Sequence, residues 1–408
     1  MLTPEYLQRI TEGAEEISSS LHRNIMDMII KRIMARLGRG EEYLLTQTDR
    51  WQIQVLQESG ELLEDIQKEI ADKTKLQKKE IKDAFVDAGI NTLKWDDAVY
   101  IAAGLTPTVL MQSPTMLRIL ERDYLATAGE WNNFTRTTAL DAQRTFINQM
   151  DNAYHLVSTG AVSYTQAVRD VINNITEVGL KVNYPTGYRM SIESATMMIV
   201  RTGVGQAAAD ISMKRMEEMN WDTVLVSAHL GARTGNGGMN PGNHLWWQGR
   251  FYSRSGKDKR FPDFVKTTGF GTGEGLCGWN CRHSFGSGDG VNNPYEDKKI
   301  TLADNHRVEE LQKKQRAQER RIRDTKRKIQ NLQTAVDNCK DDKARFELQN
   351  MLDRKAHTLK LQNKRYSAFC EENDLREYAE RLKVAQWDRK QAMKSAAAAR
   401  RYESAKKS

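Results

Sequence analysis

Glycine and proline constrain this chain more than hydropathy does. After Gly290 there is no glycine, and after Pro294 no proline, so residues 301–408 run on in Lys, Arg, Glu, Gln and Ala without a breaker. Such a stretch reads as long helix. Val308, Leu311, Gln315, Gln318, Ile322, Thr325, Ile329, Leu332 and Val336 alternate three and four apart, a heptad with a partly polar seam. Asp341-Asp342 interrupts the repeat, and Phe346, Leu348, Met351 and Leu352 restart it. The expectation is a long C-terminal helical hairpin or coiled coil over residues 301–408, with a polar seam that calls for a partner to complete it.

The glycines missing from the tail are concentrated just before it. Of 27 in the chain, fifteen fall between Gly231 and Gly290. TVLVSAH, from Thr223, is a short β-branched strand, and RFYS, ending at Ser253, is its expected partner. Asn236-Gly237 and Gly286-Ser287-Gly288 read as turns. Residues 221–300 are thus expected to form a small, irregular α+β module. With few aliphatics for its core, it is expected to pack on Trp246, Trp247 and Trp279.

The remainder reads as helical. Residues 1–100 form an N-terminal helical arm, in which Ile25, Met28, Ile29, Ile33 and Met34 recur at helical spacing before Gly38 and Gly40. A sparser run follows from about Arg50 to Asp87, carrying Val55, Leu62, Leu63, Ile66 and Ile70. Residues 101–220 form a helical core with clear boundaries. Ser113-Pro114 opens one helix. Ser163 with Gln166 caps another, whose buried stripe is Val168, Val171, Ile172 and Ile175 and whose end is Gly179. Ser191 opens a third, in which Gly203, Gly205, Ala207 and Ala208 allow close packing. The fold class is therefore mainly α with one small α+β module.

Composition narrows the function. A net charge of +8 arises from 62 basic against 54 acidic residues, the signature of mixed-charge helical surfaces with local basic patches. No apolar run approaches the roughly 20 residues that span a bilayer, so no membrane anchor is expected. The N-terminus is acidic where a signal peptide is basic and apolar. Four cysteines are too few for a disulfide scaffold, and a reducing cytoplasm is the expected place of synthesis.

GLCGWNCRHSF, from Gly275 to Phe285, is the chemically densest stretch. Cys277, Cys281 and His283 are zinc-type ligands in a glycine-rich loop, with His244 upstream as a fourth and His229 as its alternative. Structural zinc is the candidate cofactor. The competing reading makes the cysteines small buried apolar groups and lets the histidines satisfy turn carbonyls. The spacing is not that of a CxxC knuckle, and no second CxxC exists. Catalysis is disfavoured, since no nucleophile, base and orienting group line up even in outline. GFGTGEG lacks the Lys-Ser/Thr and the helix of a phosphate loop.

SAHLGAR, then HLWWQG, then TGFGTGEGLCGWNCRHSFGSGDG resemble the phage minor capsid protein 2 family, which is related to the head-morphogenesis proteins of Mu-like phages. The matching residues are His229, Gly231, Ala232 and Arg233; His244, Trp247, Gln248 and Gly249; and Gly275 to Gly278 with Asn280, Cys281, Arg282 and His283. Arg201-Thr202 and the helical flanks also fit, so the resemblance covers most of the chain. TGNGGMNPGN, between Arg233 and His244, departs from the pattern as an extended surface loop. The resemblance implies a virion protein, present in several copies at or near the portal vertex and made in the host bacterial cytoplasm. Its implied partners are the portal protein and other capsid proteins. It implies head assembly and no enzymatic activity.

The last turns add a further expectation. Arg389, Lys390, Lys394, Arg400, Arg401, Lys406 and Lys407 suit non-specific phosphate contacts to packaged double-stranded DNA, or equally a solvated helix end. The basic run from Lys313 to Lys328 is interleaved with acids and reads as a solvated face. Two other functions stand as alternatives: a metal-dependent nuclease or hydrolase using the His229–His283 cluster, and a DNA-binding adaptor acting through its tail.

Overall fold

The computed structural model describes residues 1–45, 51–184, 186–296 and 300–406. Its elements run α1 (Pro4–Arg9), α2 (Glu12–Leu37), α3 (Glu41–Leu45), α4 (Trp51–Ala102), α5 (Pro114–Ser158), α6 (Tyr164–Val178), β1 (Lys181–Asn183), β2 (Arg189–Ser191), α7 (Ile192–Glu218), β3 (Thr223–Val226), α8 (His244–Trp247), β4 (Phe251–Ser253), α9 (Phe264–Thr268), β5 (Phe285–Ser287), α10 (Leu302–Asn338), α11 (Asp342–Glu372) and α12 (Arg389–Ala405). The fold is mainly α with a small α+β module. Among the described residues, no helix is long and apolar enough to cross a membrane. Two compact units emerge, each from three chain segments: Met1–Glu15, Lys75–Asn132 and Ser194–Lys313; and Glu16–Thr74, Asn133–Glu193 and Lys314–Ser408.

In the first unit, Ile81, Phe85 and Ala88 of α4, Met116 and Leu120 of α5, and Val200, Val204 and Ile211 of α7 share one core. Gly203 allows the close approach expected of it. A Cβ there would collide with Thr127 and lie 3.1 Å from the Phe85 ring, whereas Gly205 faces open space. Beside this core lies an antiparallel sheet ordered β4-β3-β5, with Val224 paired to Tyr252 on one side and Ser287 on the other. The expected pairing of TVLV with FYS is present.

Gly286-Ser287-Gly288 is not a turn. Phe285–Ser287 is strand β5, and its glycine serves close approach: a Cβ on Gly286 would lie 2.6 Å from both Asp96 and Trp95. Asp96 Oδ1 accepts from the Ser287 N–H at 2.7 Å, and its Oδ2 accepts from Ser212 Oγ at 2.6 Å, tying α4 to β5 and α7. Trp247 is fully buried and Trp246 packs against the module core, as expected. Trp279 is 62% exposed, because its ring lies over Gly273 at the rim rather than in the core.

In the second unit, the caps act as the sequence implies. Ser163 Oγ accepts from Gln166 N at 3.2 Å, and Gly179 ends α6 at φ +58. α10 and α11 form an antiparallel hairpin: Gln315 meets Cys370, and Tyr366 Oη donates to Glu319 Oε1 at 3.2 Å. Asp341 caps α11 by accepting from Ala344 N. Residues 373–388 then run back along α10 as a strap. Gln315 donates to the Arg376 carbonyl at 2.9 Å, Lys326 to Leu382 O at 2.7 Å and Gln330 to Ala385 O at 2.9 Å. Polar residues on and beside the seam therefore find hydrogen-bond partners within the chain. α12 lies parallel to α11, since the contacts Arg401–Asp353 and Glu403–His357 advance together. Phe346 falls outside the restarted stripe, 64% exposed, while Leu348 and Leu352 are buried.

Three helices of this unit meet at a buried acid. Glu193 Oε1 on α7 lies 2.9 Å from His22 Nδ1 on α2 and 3.0 Å from Arg327 Nη2 on α10. The Leu180 N–H donates to His22 Nε2, which leaves Nδ1 to carry the proton toward the carboxylate. Burial opposes ionisation of Glu193, yet Arg327 and His22 hold its carboxyl well below the usual range.

Candidate metal centre

The module's loops are shaped by contacts that only glycine admits. A Cβ on Gly278 would lie 2.5 Å from the Thr272 carbonyl oxygen and closer still to that of Gly273, both backbone atoms. That approach lets Trp279 N donate to Gly273 O at 2.8 Å and Cys281 N to Gly278 O at 3.1 Å. Cys277 (φ +59) and Asn280 (φ +54) take left-handed conformations that cost non-glycine residues about 1–2 kcal/mol each. Gly278→Ala is expected to destabilise the protein by about 1–3 kcal/mol through overpacking, read as a lower urea midpoint. A wild-type midpoint would contradict this loop geometry.

This loop brings together three of the proposed ligands. His244 on α8, Cys281 and His283 each place one ligand atom within 4.8 Å of the others, and all three residues are buried. Cys281 Sγ is 3.8 Å from His244 Nδ1 and 3.7 Å from His283 Nδ1. Cys277 stands outside this triplet, its sulfur 3.8 Å from the His283 carbonyl oxygen, which Cys281 Sγ approaches to 3.9 Å. His229 stacks on the His283 ring at 4.2 Å between centroids, and its Nδ1 donates to Leu230 O at 3.0 Å.

The outer nitrogens have their own partners, and for His283 the partner fixes the tautomer. Gln248 Oε1 accepts from the His229 N–H at 3.1 Å, so it is an acceptor for His283 Nε2 at 2.9 Å as well. The Glu274 carbonyl can only accept, and it lies 2.8 Å from His244 Nε2, with Arg233 Nη2 donating to it at 2.9 Å. His283 Nε2 therefore carries the proton and its Nδ1 lone pair faces the thiol, whereas His244 Nε2 stands between an acceptor, the Glu274 carbonyl, and a donor, Arg233 Nη2 at 2.7 Å. Gln248 and Arg233 enter the sequence reading only through the family pattern, and Glu274 only as part of a quoted glycine-rich stretch. Their part lies in orienting imidazoles across long sequence separations.

Burial sets the charge state. Burial, then Arg282, draws His229 down to about 4, and burial draws His244 down to about 4. His283 falls well below its ordinary value through burial and then its histidine neighbours. Burial pushes both thiols up, although Arg233 and Arg282 favour the Cys281 thiolate. Free of cations, the cluster is neutral at pH 7.

The tail cations separate into groups. Arg389, Lys390, Lys394 and Arg400 are exposed on α12, away from the face carrying Ser395, Ala398 and Ala399. Arg401 grips Asp353 with two hydrogen bonds, at 2.9 and 2.7 Å. Lys406 lies over the Tyr402 ring, and Lys407 falls outside the described residues. The earlier basic run is engaged within its surroundings, Lys328 with Glu177 and Asp324, and Lys326 with Leu382 O.

Compared with known proteins, the chain matches the family model for phage minor capsid protein 2 over residues 2–391. No curated protein matches it, and no solved structure does.

Proposed function

The chain belongs to the phage minor capsid protein 2 family, and from that premise we propose that it serves head assembly at or near the portal vertex. As a family member it is a structural component of the virion that works with other capsid proteins. In the proposed role its helices dock against the portal protein and neighbouring capsid subunits, in several copies, and α12 contacts packaged DNA secondarily. The single observation that carries this reading is the family match over nearly the whole chain. Burial of the imidazole cluster supports a non-catalytic role, because a substrate or attacking water needs access to the base. Quantitative mass spectrometry of purified particles is expected to find the protein at low copy, cross-linked to the portal protein. Complete absence from particles would overturn the proposal.

The DNA contact has its own test. Exposed Arg389, Lys390, Lys394 and Arg400 offer four cations to phosphates. Changing all four to Gln is expected to reduce the slope of log Kobs against log salt by about 3–4. Arg401→Gln is expected to leave that slope alone and to cost about 1 kcal/mol of stability, because Arg401 is itself half exposed although its partner Asp353 is buried. An unchanged slope in the fourfold variant would remove DNA from the list of partners.

A further inference from the structure

We propose that His244, Cys281 and His283 bind a zinc ion through Nδ1, Sγ and Nδ1, with Cys277 as the fourth ligand. The inference goes beyond the capsid role and does not depend on it. Its first support is metric. Tetrahedral zinc with Zn–S near 2.3 Å and Zn–N near 2.0–2.1 Å sets sulfur and nitrogen ligands about 3.6 Å apart. The two sulfur–nitrogen separations here are 3.8 and 3.7 Å, within tenths of an ångström of that edge.

Its second support is direction. Gln248 Oε1 holds His283 by Nε2, and the Glu274 carbonyl and Arg233 Nη2 flank Nε2 of His244 at 2.8 and 2.7 Å, outer contacts that turn both Nδ1 atoms toward the sulfur as in histidine ligands of a metal. Both Nδ1 atoms then converge on one sulfur, and a cation among the three is ligated by all of them at once. The donor set is nitrogen and sulfur in a buried place, which selects zinc over the oxygen-seeking magnesium and calcium.

The fourth position follows from the surroundings. Structural zinc sites are closed by protein ligands, and Cys277 is the other buried thiol in this loop, sharing the His283 carbonyl with Cys281. Closure needs the Cys277 side chain to turn from that carbonyl to the ion. His229 is a packing partner instead: its ring lies flat on His283, 24° from parallel, whereas co-ligands converge on a common point. Binding displaces both thiol protons to solvent, so two thiolates balance the charge of the ion. The ion then joins α8 to the loop before β5, across 37 residues of chain.

The full-length protein, produced with zinc and purified under reducing conditions, is expected to carry one zinc per chain by elemental analysis. After chelation, Co2+ titration is expected to give the intense visible bands of tetrahedral cobalt and a thiolate-to-cobalt band in the near ultraviolet. Gln248→Ala is expected to weaken binding about 10–100-fold. Cys281→Ser and Cys277→Ser should each weaken it more and diminish the thiolate band, and His229→Ala should leave the spectrum unchanged. Should the cysteine variants fail to fold, the wild-type cobalt spectrum alone still decides for or against thiolate ligation. Folded wild-type protein with neither zinc nor a cobalt spectrum would overturn the site. A full thiolate band in Cys277→Ser would overturn the assignment of the fourth ligand.

Discussion

Glu193→Ala is expected to destabilise the protein by about 3–5 kcal/mol, the range for removing one member of a buried ion network. The carboxylate answers two groups at once, His22 and Arg327, and its loss leaves the Arg327 guanidinium largely buried without its acid. Glu193→Gln keeps the volume and an acceptor oxygen but not the charge, so it should fall between wild type and Ala. The pH dependence follows from the sign of the shift. The folded-state pKa lies below the ordinary value of 4.5, so the contribution is complete above about pH 4.5 and is lost as the pH falls through the acid range. Urea titrations at pH 7 and pH 3 should show a smaller acid loss in Glu193→Gln than in wild type. Equal losses would assign the acid sensitivity to other carboxylates.

Trp247→Ala is expected to cost about 3–5 kcal/mol, as for other large aromatic truncations in a core. Trp247 is fully buried, and its Nε1 donates to the Pro241 carbonyl at 2.9 Å. The ring is also the wall against which the cluster packs, 4.5 Å from the His244 centroid and 4.9 Å from that of His283. Truncation should thus lower the urea midpoint and weaken cobalt binding together, while Trp247→Phe should retain more of both. A large stability loss with undiminished cobalt affinity would separate the wall from the cluster it is argued to hold.

Local physics was readable from the residues, and long-range arrangement was not. Ser113, Ser163 and Gly179 mark helix ends because a cap depends on neighbours within a turn. The heptad from Gln315 to Val336 marks the buried face of α10 for the same reason. Little that is local shows that residues 373–388 return along α10, because the hydrogen bonds on their side are largely made by backbone carbonyls, which every sequence possesses. Gly286 misleads as a turn because one residue type serves two ends, positive φ and close packing, and here the second prevails. The strands β1 and β2 pass unnoticed because three residues each carry too little alternation. At the cluster, the ligand types stand in plain view. Which nitrogens face the thiol depends on Gln248 and Glu274, whose sequence distances from His283 and His244 carry no pattern.

The most direct test of the account is an asymmetric cryo-electron microscopy reconstruction of the intact particle, refined without imposed icosahedral symmetry. Density that fits the α10–α11 hairpin with its strap and α12 is expected at the unique portal vertex. Particles that contain the protein but show this density at every vertex, or none beside the portal, would contradict it.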